Sequence, residues 1–350
     1  MIEIAIEKRL GKFDLSVNFS VNKSKCVIFG SSGSGKSSLL KMIAGFYNPD
    51  YGSIKINDRI FFSSEKKINL SIQRRNVGYL PQEYTLFPNM TIKENIEYGI
   101  KKRKLKDKMG IENLAERFNI VNCLDRYPYE ISGGQKQRAA LARALIVKPD
   151  ILLLDEPFSA LDKPIREELR ELVADVAKTF SIPVLFVTHD LEEAFVFGEE
   201  IVIIKDGRVV EFGDKEAVFE NPRFVDTAQL VDFGNIWKIK GFFDNYIELE
   251  NGLKLTCENI DKSAKYCCIK PENVMILRKD TDISDKENKI ETVIEKINFR
   301  GRYINLVAKT DDGVLIYVNI PPHILGKMSL DEGKNIIISV KKESIVFCRE

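Results

Sequence analysis

The sequence predicts an α/β core, interrupted by a helical subdomain and followed by a separate all-β domain. Three observations carry this reading. Val27-Ile-Phe29, Ile151-Leu-Leu-Leu154 and Val184-Leu-Phe-Val187 are short, unbroken apolar runs, as strands buried on both faces of a parallel sheet require, and helical stretches alternate with them. Between Phe87 and Val147 the signals are helical. From Ile236 onward helix-forming runs nearly vanish, and short strands alternate with turns such as Glu250-Asn-Gly252 and Asp311-Asp-Gly313.

Residues 2–6 and 13–21 alternate apolar and polar with Gly11-Lys12 between them, so an antiparallel hairpin opens the fold. Helices at about 36–45, 162–179 and 190–197 separate the buried strands, which argues for an α/β sandwich with its ligand at the carboxyl ends of those strands. The helical subdomain covers about 87–148, and within it Ser132 is placed to cap a helix running from about 133 to 147. Ile201–Phe212 reads as a hairpin turning at Asp206-Gly207. One more helix follows Asn221-Pro222. The shift in character near Gly234 then divides the chain into 1–235 and 236–350, the second part a small OB-like β-barrel.

A chain of 350 residues is too long for one small core, in keeping with two domains. Its 53 basic and 52 acidic side chains leave a net charge of +1, so no overall field recruits nucleic acid or an anionic membrane. The densest basic run, Lys101–Lys108, reads as a solvated loop or helix face. No apolar stretch approaches the roughly 20 residues of a membrane span, and the N-terminus alternates like a strand rather than a signal peptide. A role in a membrane process is therefore expected from the cytosolic side, with separate spanning partners. The six cysteines form no Cys-x-x-Cys pair, and two histidines argue against a zinc site; reduced structural thiols are expected.

Gly30, Ser31, Ser32, Gly33, Ser34, Gly35, Lys36 and Ser37 follow a buried strand and open a helix, the context of a phosphate loop. Glycines let the backbone curl so that successive N–H groups face an anion, and the helix N-terminus adds its dipole. Lys36 supplies a mobile charge to the β- and γ-phosphates of a nucleotide, and the Ser37 hydroxyl is a Mg²⁺ ligand. Ser38 is a second hydroxyl whose position fits helix packing better. Asp155 ends an apolar strand and can hold Mg²⁺ directly or through water; Glu156 points toward an attacking water as general base. Two unpaired carboxylates at the end of a buried strand are costly as packing, which favours a functional reading. His189 ends another buried strand in Val187-Thr-His-Asp190, at the equivalent edge. Gln82 follows Val77-Gly-Tyr-Leu80 and Pro81, where its amide reaches either Mg²⁺ or the water.

Phosphate loop, Gln82, Ile131-Ser-Gly-Gly-Gln135, the Asp155-Glu156 strand, Ser159-Ala-Leu-Asp162 and His189 occur in the order and spacing of ABC transporter ATPases, which residues 1–235 resemble. The resemblance implies a head-to-tail homodimer with two ATP molecules at its interface. Each is held by Gly30–Ser37 of one subunit and by Ser132, Gly133, Gly134 and Gln135 of the other, with Asp162 communicating between the sites. It also implies that Phe13 stacks on adenine, although Phe13 shares its alternation with Leu15, Val17 and Phe19 and equally fits the core. Departures are small: Ile131 replaces the usual Leu, and Ser31-Ser32 a common Pro-Ser or Pro-Thr.

Importers of this family keep ATPase and permease on separate chains, which implies two transmembrane permease subunits, an extracytoplasmic solute-binding protein and a peripheral position on the cytoplasmic face of the plasma membrane. Glu83–Asn95, with Tyr84, Leu86, Phe87 and Met90, resembles the segment that receives the permease's coupling helix. Ile269–Val274 and Ser339–Phe347 resemble the TOBE/Mop-like regulatory domain of importer ATPases. The short hairpin at Glu7–Phe13, with Arg74–Tyr79 and Tyr84–Pro88, looks most like the molybdate/tungstate group, with sulfate as a related oxyanion. Ferric iron, polyamine or sugar importers are the alternative, and a soluble ABC protein without a permease is a remote one. Lys270, Arg300 and Arg302 are candidates for oxyanion contacts, with surface solvation as the competing reading.

Overall fold

The computed structural model describes residues 1–11, 13–83, 86–103, 110–158, 161–278 and 285–350. The chain divides into two compact units, Met1–Lys215 and Glu216–Glu350.

In the first unit the opening hairpin forms as expected: β1 (Ile2–Leu10) and β2 (Phe13–Val21) pair antiparallel from Ile2↔Val21 to Leu10↔Phe13. Next come β3 (Lys25–Phe29), α1 (Lys36–Ala44), β4 (Tyr51–Ile56), β5 (Arg59–Ser63), β6 (Ile68–Asn69), α2 (Ile72–Arg75) and β7 (Val77–Leu80). The helical insertion contributes α3 (Ile92–Arg103), α4 (Ile111–Arg117) and α5 (Gly133–Leu145). The unit closes with β8 (Ile151–Asp155), α6 (Lys163–Thr179), β9 (Val184–Thr188), α7 (Leu191–Phe197), β10 (Glu200–Lys205) and β11 (Arg208–Asp214).

These strands make one mixed sheet of eleven, in the order β6-β5-β4-β1-β2-β11-β10-β3-β9-β8-β7. The three unbroken apolar runs lie side by side in its parallel part, where β3, β8 and β9 have almost every residue buried. The alternating runs make the antiparallel part, and β2 shows the matching alternation of buried and exposed residues. One core joins Ile4, Leu15 and Phe19 from the hairpin to Leu39 and Ile43 of α1 and to Leu153 and Val187 of the central strands. The turn at Asp206-Gly207 is tight because both residues adopt positive φ, 47° and 78°.

Arg75 is fully buried beneath this sheet, donating from Nη1 to the carbonyls of Met42 and Ile43 and from Nε to that of Leu70. It closes the C-terminus of α1 and lowers the cost of its own burial by satisfying carbonyls left over at a helix end.

In the second unit, ten strands among the described residues form two five-stranded antiparallel sheets. One combines Asn235–Phe242, Tyr246–Leu249, Lys254–Thr256, Tyr266–Ile269 and Val346–Cys348; the other combines Val274–Leu277, Lys289–Phe299, Ile304–Lys309, Leu315–Ile320 and Asn335–Val340. Both face one core that includes Ile247, Leu249, Ile294, Leu306, Ile316 and Ile338, as expected of an OB-like all-β domain. Two short helices, Lys215–Glu220 and Val225–Leu230, precede the strands. The second of these is anchored in this unit, since Val225 N–H donates to Arg349 O at 2.8 Å. The change of sequence character at 235/236 thus falls inside the second unit. All six cysteines are free and buried. Among the described residues, no helix is long and apolar enough to cross a membrane.

Candidate active site

The parallel strands bring four separate segments to one edge. Phe29 pairs with Thr188, Val187 with Asp155, and Leu154 with Leu80. The chain beyond β3, β9, β8 and β7 therefore leaves the sheet at nearly one level, carrying Gly30, His189, Asp155-Glu156 and Gln82 respectively. This is the carboxyl edge at which α/β sheets bind ligands.

Between β3 and α1 the loop turns on Gly33 and Gly35, at φ 81° and 102°. Gly30 is required for a different reason: a Cβ there would stand 2.1 Å from the Ile204 carbonyl oxygen. Lys36 folds under the loop, its ammonium donating to Gly30 O at 2.7 Å and Ser31 O at 2.8 Å. Burial holds this ammonium below its ordinary pKa, while Glu156 and Asp155 pull it back. Ser31, Ser32 and Gly33 are exposed, whereas Ser34 is buried and Ser38 half-buried on α1. Phe13 packs at the back of the loop, its ring 3.2 Å from where a Cβ on Gly35 would lie, and it also flanks the core. Phe13 thus lies between the core and the loop backbone at Gly35.

Ser37 donates from Oγ to Asp155 Oδ1 at 2.8 Å, so the first turn of α1 is joined to the end of β8. Burial raises the pKa of Asp155, and the Ser37 hydrogen bond opposes that rise. Glu156 has a positive φ of 45°, which turns it off the strand line. Its N–H donates to Val187 O at 3.0 Å, its Oε1 lies 3.0 Å from His189 Nδ1, and Gln82 Nε2 donates to its Oε2 at 3.4 Å. The strained backbone at Glu156 fits a site where orientation outweighs local comfort.

Ser132, Gly133, Gly134 and Gln135 stand apart from this cluster and, among the described residues, make no hydrogen bond to it. Ser132 is exposed and caps α5: its Oγ accepts from Gln135 N–H at 3.3 Å, and Gln135 Oε1 accepts from Ser132 N–H at 3.0 Å. This reciprocal box presents a helix N-terminus to the outside. Asp162 is exposed at the start of α6. Ser159, Ala160, Tyr84 and Thr85 lie outside the described residues, as does most of the basic run at Lys101–Lys108. Phe87 packs against Tyr98 in a tilted ring pair, centroids 4.6 Å apart and planes at 49°, and carries Arg143 over its face. Lys270 is engaged by Glu220 at 3.0 Å.

Sequence reasoning missed several residues that shape the edge. Tyr79 donates from its hydroxyl to Asp155 Oδ2 at 3.4 Å, and burial raises its pKa. Gln137 on α5 is buried and donates to the Pro157 carbonyl just beyond Glu156. Thr188, Asp190 and Glu193 brace the turn that carries His189. Asp190 Oδ1 accepts from Glu193 N–H at 3.0 Å, and Thr188 Oγ1 donates to Glu193 Oε2 at 2.6 Å. The Asp190-x-x-Glu193 spacing is a helix-start signature and was readable; the return of Glu193 to Thr188 was not.

A loop that cradles an anion, a hydroxyl–carboxylate pair of hard oxygens and an adjoining acid–histidine pair define a phosphate-loop ATPase. The ABC transporter family profile matches residues 15–159. The chain is 31% identical to the molybdenum import ATP-binding protein ModC of Pasteurella multocida, over 99% of this chain and 100% of that one. It is 41% identical to the molybdate/tungstate import ATP-binding protein WtpC of Methanocaldococcus jannaschii, over 72% of this chain and 82% of the relative. A solved ATP-binding cassette, a dimer in a post-hydrolysis state bound to ADP and Pi, superposes with a TM-score of 0.52 at 28% identity, covering 61% of this chain and 98% of that one. The chain belongs to the ABC transporter family, among its import ATP-binding proteins, which bind and hydrolyse ATP.

Proposed function

We propose that this chain powers the uptake of a tetrahedral oxyanion, molybdate or tungstate, by hydrolysing ATP as a homodimer. The dimer sits on two membrane-spanning permease subunits at the cytoplasmic face of the plasma membrane, and an extracytoplasmic solute-binding protein delivers the anion. The observation that carries the ATPase chemistry is the meeting of Ser37, Asp155, Glu156 and His189 at one sheet edge.

In this reading Gly30–Ser37 wrap the β- and γ-phosphates with backbone N–H groups, Lys36 adds charge, and Phe13 flanks the adenine. Ser34 supports the fit, since its Oγ is buried without a partner among the described residues and is a spare donor at the loop. Hard oxygens at Ser37, Asp155 and Gln82 suit Mg²⁺, which when bound neutralises charge between the β- and γ-phosphates. Glu156 takes the proton of the attacking water, with His189 holding its carboxylate in position. Ser132, Gly133, Gly134 and Gln135 of the partner subunit close the site from the γ-phosphate side, and Asp162 links the two sites. ATP draws the dimer shut and the helical subdomains inward; hydrolysis lets it reopen.

We assign nucleotide handling to 1–235 and regulation to 236–350. In the latter, Arg300 and Arg302 line a cavity of about 930 Å³ with Tyr303, Asn305 and Asn319. The test is elemental analysis of cells carrying the complete transport system, with and without Glu156→Gln, grown in trace molybdate and tungstate. Selective loss of molybdenum or tungsten is expected. Selective loss of iron, or no elemental change, would contradict the oxyanion assignment.

A further inference from the structure

Arg166 occupies the first turn of α6, four residues after Asp162. Its side chain folds back and outward at once: Nη2 donates to the Leu161 carbonyl at 3.1 Å, while Nη1 lies 3.5 Å from Asp190 Oδ2 and 3.6 Å from Glu193 Oε1. The guanidinium thus spans two segments, one leaving β8 and one leaving β9. One is Leu161-Asp162, which enters α6. The other is the Thr188-His189-Asp190 turn, which enters α7.

That turn is already stiff along the chain. Asp190 N–H donates to Thr188 Oγ1 at 3.0 Å, and Thr188 Oγ1 donates in turn to the buried Glu193. His189 sits between these two braces, exposed, with Nδ1 3.0 Å from Glu156. Arg166 fastens the turn to the Leu161 carbonyl, and a second ion pair, Lys163 Nζ to Glu192 Oε1 at 3.2 Å, joins the start of α6 to α7 farther out. A planar fork with several donors can hold a carbonyl and two carboxylates together; a single ammonium cannot span both directions.

We propose that Arg166 is a positioning residue that makes the Leu161-Asp162 segment and the His189 turn move together, so that displacement of Asp162 reorients His189 on Glu156. The proposal rests on the reading of His189 and Glu156 as hydrolytic residues. Among the described residues Arg166 contacts Leu161, Asp190 and Glu193 and makes no hydrogen bond or ion pair to Glu156 or the phosphate loop. Its effect is geometric, and small misplacement of a catalytic group lowers the rate of the chemical step while leaving substrate binding in place.

The chain has two histidines, His189 and the exposed His323, so selective histidine labelling yields two imidazole resonances, assigned with His323→Gln. In Arg166→Ala the His189 resonance is expected to move while His323 stays, with kcat for ATP falling about tenfold to a hundredfold and KM within about twofold. Arg166→Lys, which keeps the charge and guards against a folding defect, is expected to recover only part of the rate. An unmoved His189 resonance, an unchanged kcat, or full rescue by lysine would overturn the proposal. Wild-type hydrolysis by His189→Ala would instead remove the hydrolytic reading of the histidine; the resonance shift in Arg166→Ala tells the two failures apart.

Discussion

The hydroxyl of Ser37 reaches Asp155 Oδ1 at 2.8 Å across 118 residues of chain. Helix α1 and strand β8 are brought together by the sheet order, in which β9 alone separates β8 from β3. In the proposed reaction these two hard oxygens would hold Mg²⁺. Replacing Asp155 by Asn weakens that seat while keeping the side chain's shape. The Mg²⁺ concentration for half-maximal hydrolysis is expected to rise about tenfold or more, since even the loss of an outer partner typically costs 10–100-fold in metal affinity. An unchanged Mg²⁺ dependence would place the ion elsewhere.

The same substitution separates function from stability. Burial raises the pKa of Asp155, so the folded state binds this proton more tightly than the unfolded chain does. The sign follows from linkage: the group's contribution to stability is fully present below the unfolded value of 3.8 and is lost as pH rises through the raised folded value. At pH 7 the ionised carboxylate therefore works against folding. Asp155→Asn is expected to raise Tm at neutral pH in metal-free, nucleotide-free buffer, and the gain should shrink as the pH is lowered toward the acid range. A lower Tm at pH 7 would contradict this.

Gly30 marks where the loop touches its own sheet. A Cβ there would lie 2.1 Å from the Ile204 carbonyl, a backbone atom that a rotamer change cannot move. Gly30→Ala is expected to cost about 1–3 kcal/mol in chemical denaturation, the usual range for overpacking, and to lose most ATPase activity as the loop shifts. Wild-type stability would mean that β10 yields more readily than its central place in the sheet suggests.

Much of this arrangement was legible because its signals are local. The unbroken apolar runs gave β3, β8 and β9; the glycines and Lys36-Ser37 gave the loop; Ser132 and Gln135 gave a capped helix. Each depends on residues within a few positions of one another. Strands β4, β5 and β6 were not read, although Ile54 and Ile56 alternate with polar neighbours and Asn57 turns at a φ of 52°. They join the sheet through β1, a pairing far away in sequence. Tyr79, Gln137 and the Thr188–Glu193 contact escaped for the same reason: each acts on a group that only the tertiary fold brings near. Phe13 was ambiguous in sequence and remains shared between core and loop.

Ser132 and Gly133 are exposed at the start of α5 and, among the described residues, make no hydrogen bond to the loop cluster of their own chain. An arginine at 132 removes the cap, at a cost of about 0.5–2 kcal/mol, and sets a large cation where a partner's γ-phosphate would lie. Ser132→Arg is expected to leave a folded monomer with slightly lower Tm, normal nucleotide binding and no ATP-driven dimerisation or hydrolysis. Near-wild-type hydrolysis would remove the trans arrangement.

The central claim is that Glu156 activates water in a closed, two-ATP dimer. The most direct measurement is single-turnover hydrolysis by Glu156→Gln with Mg²⁺ and ATP, together with its mass and bound nucleotide after gel filtration. A general base typically contributes about 10²–10⁴ in rate. The expected result is a stable dimer retaining ATP, with turnover reduced by that order. A variant that hydrolyses at the wild-type rate, or that binds ATP and stays monomeric, would contradict the account.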